Sequence, residues 1–170
     1  MQAAKRREYI IERLKESDKP VSATVLGEEL SVSRQIIVGD IALIRASGVS
    51  ITATPRGYVM QSASDDGLYT LACVHDFENM EKELNIMVDN GCTVINVTVE
   101  HPLYGQLVGQ LHLSNRYEVS QFVKKCRAYG ASPLSTLTGG IHLHALSCPS
   151  RECFERTKAE LEKNGLLYTE

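Results

Sequence analysis

The 170-residue chain lacks the features of several protein classes. No uncharged apolar run approaches the ~18 residues that a membrane span requires, and the N-terminal residues contain no apolar core of a secretion signal. Internal repeats, low-complexity tracts, a Gly-rich phosphate loop and a GxSxG sequence are absent. No residue is arranged as a nucleophile with a base. The sequence therefore predicts a cytoplasmic protein that has no membrane partner and is not an enzyme.

Cysteine is sparse and shows no pairing pattern. The five cysteines are an odd number, and no CxxC sequence occurs among Cys73, Cys92, Cys126, Cys148 and Cys153. In a reducing cytoplasm such cysteines are expected to be free thiols.

The composition is that of an ordinary globular protein, with 43% apolar and 23% charged residues. This length suits one large domain or two small ones. The net charge of −3 is divided unevenly: residues 1–62 carry nine basic and seven acidic residues, whereas residues 63–170 carry nine and fourteen. The N-terminal part is therefore compatible with a nucleic-acid partner, although the whole-chain charge argues against one.

The polar, Gly-ended run at 61–67 predicts a linker between domains at 1–62 and 68–170. Before it, apolar spacing predicts helices over 2–16 and 34–47, with a short helix ending near residue 30 between them. Ser22 and Ser33 are suitable N-caps for the second and third helices. Two short β-like runs follow, at 50–54 and 57–60. Three helices and a hairpin form the plan of a winged helix-turn-helix.

Polar residues fall where a winged helix contacts duplex DNA. They are Ser33, Arg34 and Gln35 at the start of the third helix, Arg56 at the hairpin tip, and Lys5 and Arg6 in the first helix. Arginine suits guanine and glutamine suits adenine in the major groove. The alternative is a small protein–protein module, which would not need these residue types at these positions.

The second segment has the order β-α-β-β-α-β followed by a helix, which predicts an α+β domain of the ferredoxin-like split type. In that plan the first and third strands lie at the centre of the sheet. The fourth strand, which carries His142 and His144, need not adjoin the first strand, which ends at His75. Contact among these histidines is therefore plausible on the sequence alone.

Four residues of this segment suggest a metal site. His142 and His144 are two apart in a strand and share one face, while the apolar residues at 141, 143 and 145 point to the other face and can fill the core. Glu83 lies within the apolar stripe of the helix at 78–90, and a buried carboxylate needs a partner. With His75, these donors suit zinc, nickel, iron or manganese. The alternative is a pair of surface histidines with Glu83 at the edge of the stripe.

Both segments resemble known families. The residues SRQIIVGDI (33–41), LIRASG (43–48) and TPRGY (54–58) are similar to the winged helix-turn-helix of the biotin-repressor type. The residues VHD (74–76), EHPLYG (100–105) and PLSTLTGGIHLH (133–144) resemble the signatures of the 3H domain. Together these resemblances cover nearly the whole chain and point to the niacin-responsive transcriptional repressors of bacterial NAD biosynthesis and niacin uptake.

The resemblance implies a DNA-binding repressor whose corepressor is nicotinic acid. It places the metal ligands at His75, Glu83, His142 and His144, as the periodicity does. Candidate effector contacts are His101, Tyr104, Arg116, Ser135 and Thr138, although Arg116 also suits a helix start. A single winged module buries too little surface for tight specific binding, so we expect a homodimer on a palindromic operator.

Two other interpretations remain open. A His-rich site with an open coordination position can activate water, as in a metalloenzyme acting on a nicotinate-like compound, but no clear general base accompanies the ligands. A repressor that senses the metal itself, without an organic effector, fits the same residues.

Overall fold

The computed structural model describes residues 2–17, 19–60 and 68–169, so the predicted linker at 61–67 lies outside the described residues. The first part contains three helices and a hairpin: α1 (Ala3–Lys15), α2 (Ala23–Leu30), α3 (Arg34–Ala46), β1 (Ile51–Thr54) and β2 (Gly57–Met60). The hydroxyl of Ser22 accepts a hydrogen bond from the backbone N–H of Val25, and that of Ser33 accepts one from Ile36. Both predicted N-caps are confirmed.

The helix-turn-helix packs around an apolar core of its own. Ile37, Ile41 and Ile44 of α3 lie on one side of that helix, against Ile10 of α1 and Leu26 of α2. The side chains recur at intervals of three and four residues, which is the spacing of one face of a helix. This packing fixes α3 in position and leaves its first turn exposed.

The second part is a four-stranded antiparallel sheet with three helices. Its elements are β3 (Leu68–Val74), α4 (Met80–Asp89), β4 (Thr93–His101), β5 (Gly105–Leu113), α5 (Arg116–Ala128), β6 (Ile141–Ser147) and α6 (Arg151–Lys163). Short 3-10 turns precede α4 at Phe77–Asn79 and β6 at Leu134–Thr138. The predicted element order and the α+β class are confirmed.

The strand order differs from the ferredoxin-like expectation. The sheet runs β3-β6-β4-β5, so the second and fourth strands of this domain are central, rather than the first and third. Both faces of β6 are buried in this position: His142 and Leu143, adjacent in sequence and on opposite faces, are each less than a tenth exposed. Because β6 lies beside β3, the fourth strand of the domain adjoins the first, which brings the predicted histidines together. The residues before the chain end cover the outer edge of β3, where the N–H of Tyr168 donates to the carbonyl of Ala72.

The two faces of the sheet are covered by different parts of the chain. Leu71 and Leu146 contribute to the core formed with α4, α5 and α6. Because Leu71 pairs with His144 across the strands, the histidines share this helix-covered face. Ile141 and Leu143 point the other way and pack with Ala42 of α3. The expectation that this face of β6 can fill a core is confirmed for Leu143, which is buried in the contact with the helix-turn-helix.

The expectation that all cysteines are free thiols is also wrong. Cys92 and Cys148 form a disulfide, with their Cα atoms 4.4 Å apart, while Cys73, Cys126 and Cys153 are free. The reason lies in the register of two neighbouring antiparallel strands. Thr93 of β4 pairs with Ser147 of β6, so the next residue beyond each strand end is brought opposite the other. Nothing local in the sequence reveals this register, because 56 residues separate the two cysteines.

Among the described residues, no helix is both long and apolar enough to cross a membrane.

Candidate metal centre and DNA interface

One buried carboxylate lies at the centre of the predicted metal site. Glu83, on the inward face of α4, is 1% exposed. Its Oε1 lies 2.9 Å from Nε2 of His142, and its Oε2 lies 3.3 Å from Nε2 of His144. The Nε2 atom of His75, which follows β3, lies 2.8 Å from Oε2. The structure therefore brings all four predicted ligands together.

The other ring nitrogen of each histidine is held by the backbone. The Nδ1 atoms of His75, His142 and His144 lie 2.7–2.8 Å from the carbonyl oxygens of Asp76, Gly140 and Asn96. A carbonyl only accepts, so each Nδ1 carries a proton and donates it. This arrangement fixes the tautomer and directs Nε2 towards Glu83, which is how metal-binding histidines are usually oriented by their surroundings.

The centre contains mainly acceptor atoms. With Nδ1 protonated, a neutral imidazole presents a lone pair at Nε2, and the carboxylate oxygens of Glu83 are acceptors as well. Such atoms approach within 3.3 Å only when positive charge lies between them. Protons on the imidazoles supply that charge in one state of the protein, and a divalent cation would supply it in another. His75 makes no good hydrogen bond through its buried Nε2, despite its 2.8 Å contact with Glu83. The donor set and this unsatisfied nitrogen fit a metal ion.

The pKa values agree with this charge arrangement. Burial acts to raise the pKa of Glu83, but the charges and hydrogen bonds of His144 and His142 hold it well below its ordinary value. Burial acts to lower the pKa of His144, and the carboxylate of Glu83 more than offsets this, so the pKa is raised. For His75, too, burial acts to lower the pKa, and Glu83 more than offsets this, so the pKa is raised. Without a metal, the centre therefore favours an ionised Glu83 beside protonated His75 and His144.

Cys73 is a member of this cluster that sequence reasoning missed. It lies directly opposite His142 in the register of β3 and β6. One atom each of Cys73, Glu83 and His142 lie within 4.8 Å of one another, and the cysteine is fully buried. Burial, reinforced by Glu83, raises the pKa of this thiol well above its ordinary value. The available signal was its position two residues before His75, which directly follows the same strand.

A cavity of about 250 Å³ opens beside the four candidate ligands. Its volume lies just below the ~300–1,000 Å³ that is typical of small-molecule sites, which suits a ligand with a single ring. The apolar part of its wall comprises Phe77, Met80, Leu84, Val97, Leu111, Phe122 and Leu134. Gln110, Ser132 and Ser135 supply polar groups. The cavity can therefore hold a flat apolar body and satisfy a polar end.

The five candidate effector residues are dispersed. Ser135 lines the cavity, and the other four are outside its lining. The hydroxyl of Thr138 is directed at the carbonyls of Ser135 and Ile141. Arg116 forms an exposed ion pair with Asp89, which lowers the pKa of that carboxyl.

His101 and Tyr104 lie in the turn between β4 and β5. Nδ1 of His101 accepts hydrogen bonds from the N–H groups of Leu103 and Tyr104, and the two rings stack. This turn lies against the wing, because a Cβ added to Gly105 would meet backbone atoms of Thr54 at 2.9 Å. These two residues therefore lie in a turn beside the contact between the domains, away from the cavity.

The candidate DNA-contacting residues are exposed, with the exception of Arg6. Arg34 and Gln35 in the first turn of α3, Arg56 between the wing strands, and Lys5 are exposed. Ser33 is exposed as well, with its hydroxyl used as the N-cap of α3. Arg6 is different, because its guanidinium donates to both carboxylate oxygens of Asp40, at 2.5 and 3.1 Å. This pair connects α1 to α3. The hydrogen bond to Asp40 also raises the pKa of Arg6.

Comparison with known proteins gives two family matches and close relatives. Residues 6–59 match an HTH domain, and residues 69–170 match the 3H domain. A probable transcription repressor NiaR from Thermotoga maritima is 44% identical over 95% of this chain and 92% of its own length. The transcription repressor NadR from Bacillus subtilis is 40% identical over 98% of this chain and 95% of its own length. An uncharacterized protein from Methanothermus fervidus is 28% identical over 55% of this chain and 16% of its own length.

Proposed function

This chain belongs to the 3H-domain family, and from that premise we propose that it represses genes of NAD biosynthesis and niacin uptake with nicotinic acid as corepressor. It is a DNA-binding transcription repressor rather than an enzyme, as its HTH domain and its named relatives show. The identity of the regulated genes and of the effector is our proposal. The convergence of three Nε2 atoms on Glu83 beside a small cavity is the observation that supports a small-molecule effector.

The metal centre supports a sensing role. His75, Glu83, His142 and His144 would hold one divalent transition-metal ion, which would offer a Lewis-acid position to a nitrogen or oxygen donor. Nicotinic acid carries both donors, as a pyridine nitrogen and a carboxylate. The neighbouring cavity has an apolar wall for the ring and Ser135 among its polar groups.

DNA recognition is assigned to the exposed residues of the first part. Arg34 and Gln35 suit base edges in the major groove, while Arg56 and Lys5 suit the phosphate backbone. Ser33 contributes by capping the helix that presents them. We assign Arg6 to the support of α3 instead, since Asp40 engages its guanidinium.

A homodimer on a palindromic operator completes the proposal. One helix-turn-helix presents a single exposed α3 turn, and two copies related by a two-fold axis would read two half-sites about one helical turn apart or a multiple of that. Sedimentation of the full chain at the concentration used for DNA binding tests this. A dimer is expected, whereas a monomer that binds the operator tightly would contradict it.

The test of the function is a titration of operator affinity against metal and nicotinic acid separately. We expect nicotinic acid to strengthen operator binding only when the metal is present, with a coupling of ~1–3 kcal/mol. A full response to metal alone would instead identify a metal-sensing repressor. No response to either would refute the sensing role, and nicotinamide serves as the control ligand without a carboxylate.

A further inference from the structure

The two sides of α3 are both buried beyond its first turn. Ile37 and Ile41 face the core of the helix-turn-helix. Each residue advances an α-helix by about 100°, so Gly39, Ala42 and Ala46 lie on the opposite side. A recognition helix presents that opposite side to the major groove. In this structure the 3H sheet occupies it.

Small side chains allow close contact between α3 and the sheet. Ala42 packs with Ala72 of β3 and Leu143 of β6, and all three are less than a tenth exposed. Tyr168 reinforces the contact, because its N–H donates to Ala72 and its hydroxyl fills the space where a side chain at position 39 would lie. A Cβ added to Gly39 would come within 2.2 Å of that hydroxyl.

A buried polar cluster fastens the same contact. Glu100 of β4 accepts hydrogen bonds from Arg45 of α3 and from the hydroxyl of Tyr58 in the wing. Nε of Arg45 also donates to the carbonyl of Ile51 at 2.8 Å. The 3H domain thereby holds both the helix and the wing of the DNA-binding domain.

The contact is incompatible with a helix lying along the groove. The major groove is about 12 Å wide, which admits one helix but not a helix with a sheet packed on its outer side. We propose that this structure is a closed state in which the 3H sheet competes with DNA for the outer side of α3. Operator binding then requires the contact of α3 with β3 and β6 to open.

The metal centre lies on the reverse side of the same strand. His142 and His144 alternate along β6 with Leu143, which touches Ala42. A ligand that repositions the two histidines therefore acts on the contact that covers α3. This link rests on the proposed corepressor function, whereas the closed state itself does not require it.

Two substitutions that avoid the exposed first turn of α3 test the closed state in the full chain. Tyr168→Ala removes the ring between the sheet edge and Gly39, and Glu100→Gln weakens the polar cluster. Tyr129→Ala is the matched control, because this tyrosine is 83% exposed at the end of α5. Operator affinity is measured without nicotinic acid, after thermal unfolding has confirmed that each variant is folded.

We expect Tyr168→Ala and Glu100→Gln each to bind the operator ~5–50-fold more tightly than the native chain, since the apparent affinity is reduced by the closed fraction. The factor by which nicotinic acid increases operator affinity should be smaller in these variants than in the native chain, by a similar amount. Unchanged or weaker binding by both folded variants would overturn the closed state. If the native chain binds no specific DNA under any condition, the proposed function fails instead, so the two failures are distinct.

Discussion

Replacing Glu83 by glutamine is a sharp test of the metal centre, because the change preserves shape and removes one buried charge. The carboxylate accepts from His142 and His144 and also contacts His75 at 2.8 Å. An amide oxygen can accept from one of these histidines, and the amide N–H can donate to a neutral ring. The anionic ligand is lost.

The size of the effect follows from these contacts. A hydrogen bond to a charged group contributes ~1.5–3 kcal/mol, against ~0.5–1.5 kcal/mol for a neutral one. Glu83→Gln weakens two such bonds to neutral strength. The free energy of unfolding of the metal-free protein should therefore fall by ~2–3 kcal/mol near pH 6. Losing a group that only orients a ligand lowers metal affinity by ~10–100-fold. Losing the anionic ligand itself should lower metal affinity by more than this.

The assay combines denaturant unfolding of the metal-free protein with metal titration of the folded protein. Glu78→Gln is the control, since Glu78 is exposed in the turn before α4. A Glu83→Gln variant that unfolds within about 0.5 kcal/mol of the native chain and binds metal equally well would refute the assignment.

Three further outcomes are expected. Arg34→Ala should cost ~1–3 kcal/mol in operator binding and relax the preference at one base pair, whereas an equal loss on random DNA would assign Arg34 to phosphate. Arg116→Ala should leave nicotinic acid affinity unchanged while the pKa of Asp89 rises by NMR titration; weaker nicotinic acid binding would place Arg116 in the site. The pKa values of His75 and His144 are raised in the folded protein, so they stabilise the metal-free chain fully below about pH 6.5 and lose this effect as pH rises. Unfolding followed from pH 6 to pH 9 should thus show a loss of stability without metal, while metal affinity should increase as protons leave; a metal-free stability that rises with pH would contradict these shifts.

Local patterns predicted the elements and selected the candidate ligands. The alternation of His142 with Leu143 placed the histidines on one face, and the apolar stripe of α4 placed Glu83 inward. Both rules depend only on the period of a strand or a helix. The capping serines were equally accessible, because a cap is a contact between residues three apart.

Features that depend on long-range pairing were not predictable in this way. The position of β6 between β3 and β4 determines that Cys73 faces His142 and that Cys92 meets Cys148. Alternation showed that Leu143 points away from the histidines, but it did not indicate which part of the chain covers that face. The engagement of Arg6 by Asp40 likewise depends on how α1 and α3 cross.

The central claim is that the centre formed by His75, Glu83, His142 and His144 senses the effector for the DNA-binding domain. The most direct measurement is the change in operator affinity on adding nicotinic acid, compared between the native chain and the double variant His142→Ala/His144→Ala, with metal content determined on the same samples. His112→Ala is the control, because this histidine is exposed on β5. We expect the native chain and the control to hold metal and respond, and the double variant to do neither. A double variant that keeps its metal and its response would contradict the claim, and one that loses metal but still responds would place the sensor outside this centre.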